Sequence, residues 1–347
     1  MKYLKSKRLW GLVIAVGLLI SCFYNFDFQG VIKAVFAINY WYLIPLLFLE
    51  AVIAFIRAVR LKFIFDPVKK IKLTEIYSIF CIGMMTNLLM PYLTGQVARV
   101  YLFSKREGLK KTFLATTTVL EVLFDGLALL VILVAISPFP GSHNNFHSWQ
   151  FYLPASLIIG VAIILFALSR SHGQIASITQ RLTSKLPPKA QKKIDDIRHS
   201  FLSGLETLKS SRHLLAVSAL SILSWLVQAS MVYFLILAFG FPVTLWGAVI
   251  ITTVVTVMLT IVVSPANIGT LQAATWAALH PFGIGKSPAL AFSILLHIAV
   301  YIPPILLGAF FSFKEGLSYR QIKVETEKEV SGIEIEDSAE SAGNTSL

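Results

Sequence analysis

The chain has 347 residues, of which 56% are apolar and 14% charged, with a mean hydropathy of +0.74 and a formal net charge of +12. Because a soluble domain carries about a quarter charged residues, this composition excludes an ordinary globular enzyme and indicates a polytopic membrane protein. The basic residues lie between apolar segments, where orientation in the bilayer explains them, so we expect no nucleic-acid partner.

Cysteine and histidine give no sign of a metal or a cofactor. The two cysteines, Cys22 and Cys81, each lie inside an apolar segment, and no spacing typical of metal ligands surrounds them. We therefore predict neither a metal site nor a cofactor.

Six apolar windows are long enough to cross about 30 Å of hydrocarbon. They are 9–24, 41–63, 112–136, 151–169, 213–239 and 288–313. The first follows a basic N-terminus without a small-residue cleavage site, and we interpret it as an uncleaved span.

Two further apolar segments contain a Pro-x-x-x-Gly pattern that predicts a break. They are 76–103, with Pro91 and Gly95, and 243–280, with Pro265 and Gly269. Proline removes a backbone donor and glycine weakens a helix, so each segment is expected to unwind at this point.

Charge predicts how the first broken segment lies in the membrane. Basic residues flank it on both sides, with Lys69 and Lys72 before it and Lys105 and Lys110 after it. Because basic loops favour the cytoplasm, 76–98 is expected to enter and leave from the inner face. The same rule places both termini in the cytoplasm and the chain in the cell membrane, inner or plasma.

The second broken segment is expected to enter and leave from the outer face, which makes the two halves an inverted repeat of 41–136 and 213–313. The fold class is therefore all-α: a polytopic helical membrane protein with about six full spans and two re-entrant broken-helix hairpins. Amphipathic spacing predicts interfacial helices at 28–38 and 190–208.

Three parts of the chain follow from this organisation. They are a first membrane half, 1–136, a second membrane half, 137–313, with an amphipathic cytoplasmic loop at 170–212, and an acidic tail, 314–347. The tail is mostly polar and is predicted to be disordered.

Charged residues at membrane depth are costly unless they have a partner or a function. Glu50, Arg57 and Arg60 lie on the second span, with Glu50 and Arg57 seven residues apart on one face, and Glu121 and Asp125 lie one turn apart on a later span. A rise of about 1.5 Å per residue puts Arg57 within reach of Glu121. This pair could be a structural clamp or a place where a proton or a head group binds.

Polar residues also surround the two breaks. At the first, Asn87 precedes the break and Arg99 follows it, and Arg99 could hold a phosphate or serve as a positive-inside residue. The second break is polar but uncharged, with Asn267 and Gln272, and His297 on the last span is either a hydrogen-bonded core residue or a titrating one.

Three short motifs together resemble the transmembrane region of the lysylphosphatidylglycerol synthases, which also occurs in stand-alone flippase-like proteins. They are Pro91-x-x-x-Gly95-x-x-x-Arg99, Glu121-x-x-x-Asp125 and Pro265-x-x-x-Gly269. The resemblance covers most of residues 5–315. It implies movement of a phospholipid or a polyprenyl-linked lipid between leaflets, through the residues of these motifs.

Two departures limit what the resemblance implies. The family often has arginine directly after the glutamate, where this chain has Val122, and often has an acidic residue after the second glycine, where Gln272 stands. The resemblance therefore does not extend to selectivity for a cationic aminoacyl lipid.

The sequence hypothesis is a membrane lipid transporter without nucleotide hydrolysis, because no Walker loop is present. Its partner would be a phospholipid or a polyprenyl phosphate, Glu121 and Asp125 would carry protons, and a homo-oligomer is left open. One alternative is an integral-membrane lipid-modifying transferase that uses Glu121, Asp125 and His297 as acid and base. The other is a non-transporting scaffold whose acidic tail recruits a partner.

Overall fold

The computed structural model describes residues 27–89, 94–136, 211–261 and 264–316. These described residues form nine α-helices and three short 3-10 turns, and none of them lies in a β-strand. The all-helical fold class is therefore confirmed for this part of the chain.

The helices are labelled in chain order. They are α1 Phe28–Phe36, α2 Leu43–Phe65, α3 Leu73–Leu89, α4 Thr94–Glu107, α5 Lys111–Ile136, α6 Ser211–Phe239, α7 Leu245–Ile261, α8 Thr270–Leu279 and α9 Lys286–Lys314. The 3-10 turns are Tyr40–Tyr42, Pro265–Asn267 and His280–Phe282.

Four helical segments of the described residues are long and apolar enough to cross a membrane. They are Tyr40–Phe65, Lys111–Ala135, Arg212–Phe239 and Lys286–Lys314. They confirm four of the six predicted windows, while 9–24 and 151–169 lie outside the described residues. Large apolar side chains such as Trp41, Phe48 and Phe310 are exposed, as expected of a surface that faces lipid.

The first interrupted segment is a pair of helices that doubles back on itself. α3 ends at Leu89 and α4 begins at Thr94, and Pro91 lies outside the described residues. The loop before α3 and the end of α4 meet, because Lys69 Nζ lies 2.9 Å from Glu107 Oε2 and donates to the Glu107 carbonyl at 2.7 Å. The segment therefore begins and ends at the same end of the molecule, as a re-entrant hairpin requires.

The second interrupted segment has the same form. α7 and α8 are separated by the turn Pro265–Asn267, in which Ala266 and Asn267 adopt left-handed backbone angles with φ of 50° and 54°. The two ends of this segment are adjacent, since a Cβ atom placed on Gly247 would lie 3.1 Å from the ring of Phe282. The predicted break near Pro265 and Gly269 is confirmed.

A long–short–short–long order of helices occurs twice, as α2 to α5 and as α6 to α9. The opposite orientation of these two sets in a membrane, and the cytoplasmic position of the termini, stay predictions.

The predicted helix at 28–38 is confirmed as α1. Its first turn is capped by Asp27, whose carboxylate accepts a hydrogen bond from the Gly30 amide at 2.9 Å. The helix predicted at 190–208, and the tail after Gly316, lie outside the described residues.

Helices α2 and α6 pack side by side through the centre of the molecule. Tyr42 lies against Phe234, and Arg60 contacts Ser221. The contacts at higher residue numbers on α2 are made at lower residue numbers on α6, so the two helices are antiparallel.

Helix α9 joins the two halves. It packs closely on α3 at Gly308, where an added Cβ would overlap Met85 and lie 2.7 Å from the Cys81 carbonyl oxygen. At its C-terminal end Glu315 accepts a hydrogen bond from Ser78 and pairs with Arg106. Pro303 and Pro304 lie inside α9 and are buried, so this helix lacks two of its own backbone donors.

Candidate functional site

Arg99 and Glu121 form a bidentate ion pair inside the helix bundle. Arg99 Nη2 donates to Glu121 Oε1 at 2.7 Å and Nη1 donates to Oε2 at 3.1 Å. The two side chains are 9% and 8% exposed, and the guanidinium carbon lies 4.7 Å from the centre of the Phe80 ring. Both oxygens of the carboxylate and one face of the guanidinium are therefore already occupied.

Arg60 and Asp125 form a second bidentate pair one turn along α5. Arg60 Nη1 donates to Asp125 Oδ1, Nη2 donates to Oδ2 at 3.3 Å, and Nη1 also donates to Ser221 Oγ at 2.9 Å. Arg60 is fully buried, and Asp125 is 23% exposed. The contact joins α2, α5 and α6.

The predicted pair between Arg57 and Glu121 is wrong. The rise along each helix places a residue at a depth but does not say which helix stands beside it. α4 follows the first break and runs along α5, so Arg99 reaches Glu121 first. Asp125, one turn further along α5, is paired with Arg60.

Arg57, also on α2, pairs with neither Glu121 nor Asp125. Its guanidinium carbon lies 5.8 Å from the centre of the Trp225 ring on α6, a cation–π contact. Among the described residues Arg57 makes neither a hydrogen bond nor an ion pair, and its buried Nε has no acceptor. Trp225, which no sequence motif indicated, is 7% exposed and its indole Nε1 also lacks an acceptor.

Glu50 is an acidic side chain in a similar position. It lies seven residues before Arg57 on α2, is 4% exposed, and its Oε2 has no hydrogen-bond partner in the described part of the chain. Seven residues are close to two helical turns, so Glu50 and Arg57 share a face about 10 Å apart along the axis. An unpaired acid and an unpaired base thus lie on one side of α2.

The first break is held by close backbone packing. A Cβ atom on Gly95 would overlap Asn87 Cβ and lie 2.8 Å from the Asn87 amide nitrogen, so α3 and α4 can approach only because this residue is glycine. Gly83 has the same role beneath Arg99, whose Cδ lies 2.7 Å from where a Cβ of Gly83 would be. Gly95 therefore permits the helix contact that delivers Arg99 to Glu121.

The second break is held by side chains. The amide of Gly269 donates to Gln272 Oε1 at 2.8 Å, and Gln272 Nε2 lies 3.4 Å from His297 Nδ1. Tyr301 donates to the carbonyl of Ala266. The structure thus brings Gln272 and His297 together beside the break, and the ring of His297 lies beside that of Tyr301.

No group of three or more histidine, cysteine, aspartate or glutamate residues in the described ranges could hold a metal ion. The ionic groups at membrane depth there are arginines and carboxylates.

Apolar helices of spanning length, two broken helix pairs and buried ion pairs define a multi-pass integral membrane protein. The family model described as the lysylphosphatidylglycerol synthase TM region matches residues 8–308. The chain belongs to this family, as the sequence motifs predicted.

Two similar proteins come from Methanocaldococcus jannaschii. UPF0104 membrane protein MJ1078 is 27% identical over 226 residues, which are 65% of this chain and 92% of the relative. UPF0104 membrane protein MJ1595 is 23% identical over 311 residues, which are 86% of this chain and 91% of the relative.

Proposed function

We propose that this protein moves a phosphate-bearing membrane lipid, a phospholipid or a polyprenyl-phosphate-linked lipid, between the two leaflets without nucleotide hydrolysis. The observation that carries the proposal is Arg57, a cation at membrane depth without a carboxylate partner. Such a charge is costly in a bilayer unless an anion or water meets it. A lipid phosphate would meet it with two charge-assisted hydrogen bonds.

The position of Arg57 favours a lipid over a soluble anion. Arg57 lies eight residues from the end of α2 at Phe65, which is about 12 Å along the helix axis. A phosphate bound there would lie well inside the hydrocarbon layer. A lipid head group reaches this depth only while it is crossing.

The broken helices supply the rest of the path. Breaks in membrane helices are tolerated where the freed backbone groups line a cavity or a binding site. Here one break lies beside Gly95 and the other between Ser264 and Thr270, whose hydroxyls are 2.8 Å apart. Two breaks, one in each half of the bundle, would give a crossing lipid a polar binding site near each membrane face.

The pairing of Glu121 and Asp125 with arginines disfavours both the transferase alternative and the proton-carrier role that the sequence suggested for these two residues. Glu121 and Asp125 would be the acid and base of a lipid-modifying transferase, but both are bound to arginines through two oxygens. Neither is positioned to exchange a proton with a substrate. Membership in the lysylphosphatidylglycerol synthase TM family further associates the chain with membrane lipids.

The experiment uses liposomes that contain the purified protein and a fluorescent phospholipid or polyprenyl phosphate. The rate at which label becomes accessible to an impermeant quencher reports lipid crossing. Wild-type protein should exceed empty liposomes without nucleotide. Arg57→Gln should lower the rate at least about 10-fold to 150-fold, because the loss of even one of the two charge-assisted hydrogen bonds removes about 1.5 to 3 kcal/mol.

The matched control is Arg212→Gln, which removes an exposed arginine at the end of α6. This variant should move lipid at the wild-type rate. If neither lipid class crosses faster than in empty liposomes, with or without a proton gradient, the transport proposal is wrong. The transferase and scaffold alternatives would then be tested by lipid analysis of treated membranes and by deletion of the tail 317–347.

A further inference from the structure

We infer that Glu50 is a proton-binding site linked through Arg57 to the lipid phosphate, so that one proton accompanies each anionic lipid across the membrane. This inference rests on the proposed function for its coupling, but the proton site itself can be tested without a lipid substrate.

The first argument is the difference between Glu50 and the other two intramembrane carboxylates. Glu121 and Asp125 each accept hydrogen bonds from an arginine through both oxygens. Glu50 is as deeply buried, yet its Oε2 has no donor among the described residues. An ionised carboxylate in that position would lose its hydration without compensation, whereas a protonated carboxyl would not.

The second argument is that two buried donors about two helical turns along α2 from Glu50 also lack partners. Arg57 Nε and Trp225 Nε1 are buried without an acceptor, and the Arg57 guanidinium rests over the Trp225 ring instead of on a carboxylate. Arg57 lies on the same face of α2 as Glu50, two helical turns further along. Neither Glu50 Oε2 nor Arg57 Nε is therefore committed to a hydrogen bond within the described part of the chain.

Several other titratable groups lie on the elements that pack around α2. The packed elements are α3, α6, α9 and the turn Tyr40–Tyr42. Their titratable and charged side chains are Glu75, Tyr77, Cys81, Arg212, His213, Tyr233, Lys286, His297, Tyr301, Lys314, Tyr40 and Tyr42. Helices α2 and α6 are antiparallel, so Glu50 lies level with Met231 and far from Arg212 and His213. On α9, His297 contacts Gln272 and Tyr301 donates to the carbonyl of Ala266.

The proton site at Glu50 and the phosphate site at Arg57 are linked, because the positive charge of Arg57 can stabilise either an ionised Glu50 or a bound phosphate. Without phosphate, Arg57 can stabilise an ionised Glu50, which then releases its proton. With phosphate bound, the positive charge of Arg57 is neutralised and Glu50 keeps its proton. Phosphate binding therefore takes up one proton, and protonation of Glu50 strengthens phosphate binding by the same factor.

The proton site is tested by labelling with dicyclohexylcarbodiimide, which modifies protonated carboxyls in apolar surroundings. The protein in lipid nanodiscs is treated across a range of about pH 5 to 9, and mass spectrometry locates the label. Glu50 should be modified, increasingly so as the pH falls, while Glu121 and Asp125 stay unmodified. Arg57→Gln should retain label on Glu50 at higher pH than wild type, because a charge that favours the ionised form is gone.

Two labelling results would overturn the proton site. One is a Glu50 that is unmodified at every pH in protein that is folded by size-exclusion chromatography. The other is equal labelling of Glu121, which would mean that the Arg99 ion pair does not protect a carboxyl. Glu50→Gln, in which the labelled peptide must disappear, identifies the modified residue.

The coupling is tested in liposomes through the ratio of lipid-crossing rates with and without a proton gradient. Wild-type protein should give a ratio of several-fold, Glu50→Gln should give about one, and Glu50→Asp should restore the response. The control Glu75→Gln, on the first turn of α3, should respond as wild type does. A wild-type ratio in Glu50→Gln refutes the coupling, whereas pH-dependent labelling without any lipid crossing would leave the proton site standing and refute the proposed transport.

Discussion

The ion pair between Arg99 and Glu121 should be thermodynamically coupled, and this can be measured with a double-mutant cycle. Both side chains are less than a tenth exposed and are joined by two hydrogen bonds of 2.7 and 3.1 Å. Removing one partner of a buried pair leaves the other charge stranded, which costs about 3 to 5 kcal/mol. Arg99→Gln and Glu121→Gln should each lower the free energy of unfolding by about this amount.

The double variant should cost less than the sum of the single variants. Once both charges are gone nothing is stranded, so we expect a coupling energy of about 2 to 3 kcal/mol. Denaturant titration of the purified protein in mixed micelles, followed by tryptophan fluorescence, gives the free energies of the four proteins.

The control cycle combines Arg57→Gln with Glu121→Gln. These residues are not paired in the structure, so their effects should add within about 0.5 kcal/mol. Additive effects at Arg99 and Glu121, with coupling at Arg57 and Glu121, would refute the pairing described above. That result would restore the pair expected from helix depth alone.

Three further predictions concern the breaks and the topology. Gly95→Ala should destabilise the protein by about 1 to 3 kcal/mol, seen as a lower Tm, whereas Gly285→Ala, whose nearest added contact is 3.8 Å, should leave Tm unchanged. Tyr301→Phe removes the donor to a backbone carbonyl and should cost about 1 to 3 kcal/mol by denaturant titration; an unaltered midpoint would contradict that contact. An impermeant thiol reagent on intact cells should miss cysteines placed in 66–72 and 104–110 and reach those in 142–147; labelling at 104–110 would contradict the predicted topology.

The helices and breaks could be predicted because their signals are local. An apolar run of about 20 residues is visible in the sequence, and the described spans differ from the predicted windows by only a few residues. The interruption at Pro265 and Gly269 was equally visible. The same rule, applied alone, would also have broken α9 at Pro303 and Pro304, where the helix continues.

Partners of the charged residues could not be predicted, because they depend on which helices stand side by side. Arg60 and Asp125 are 65 residues apart, and Ser221 is 161 residues from Arg60. No spacing in the sequence encodes that meeting. The candidate site changed accordingly: the residues named from motifs include the paired Arg99, whereas Trp225 and the unpaired Oε2 of Glu50 became visible only in the packed structure.

The packing of α9 against α3 has a consequence for how the protein is made. Ser78 and Glu315 meet across 237 residues of sequence, and Gly308 fills the space beside Met85. During synthesis α3 and α4 are complete long before α9 leaves the ribosome. The surface of α3 that contacts α9 in the final structure is therefore uncovered at that stage. The N-terminal half is thus a biosynthetic intermediate with an open flank, and the last described helix acts as the closing element of assembly.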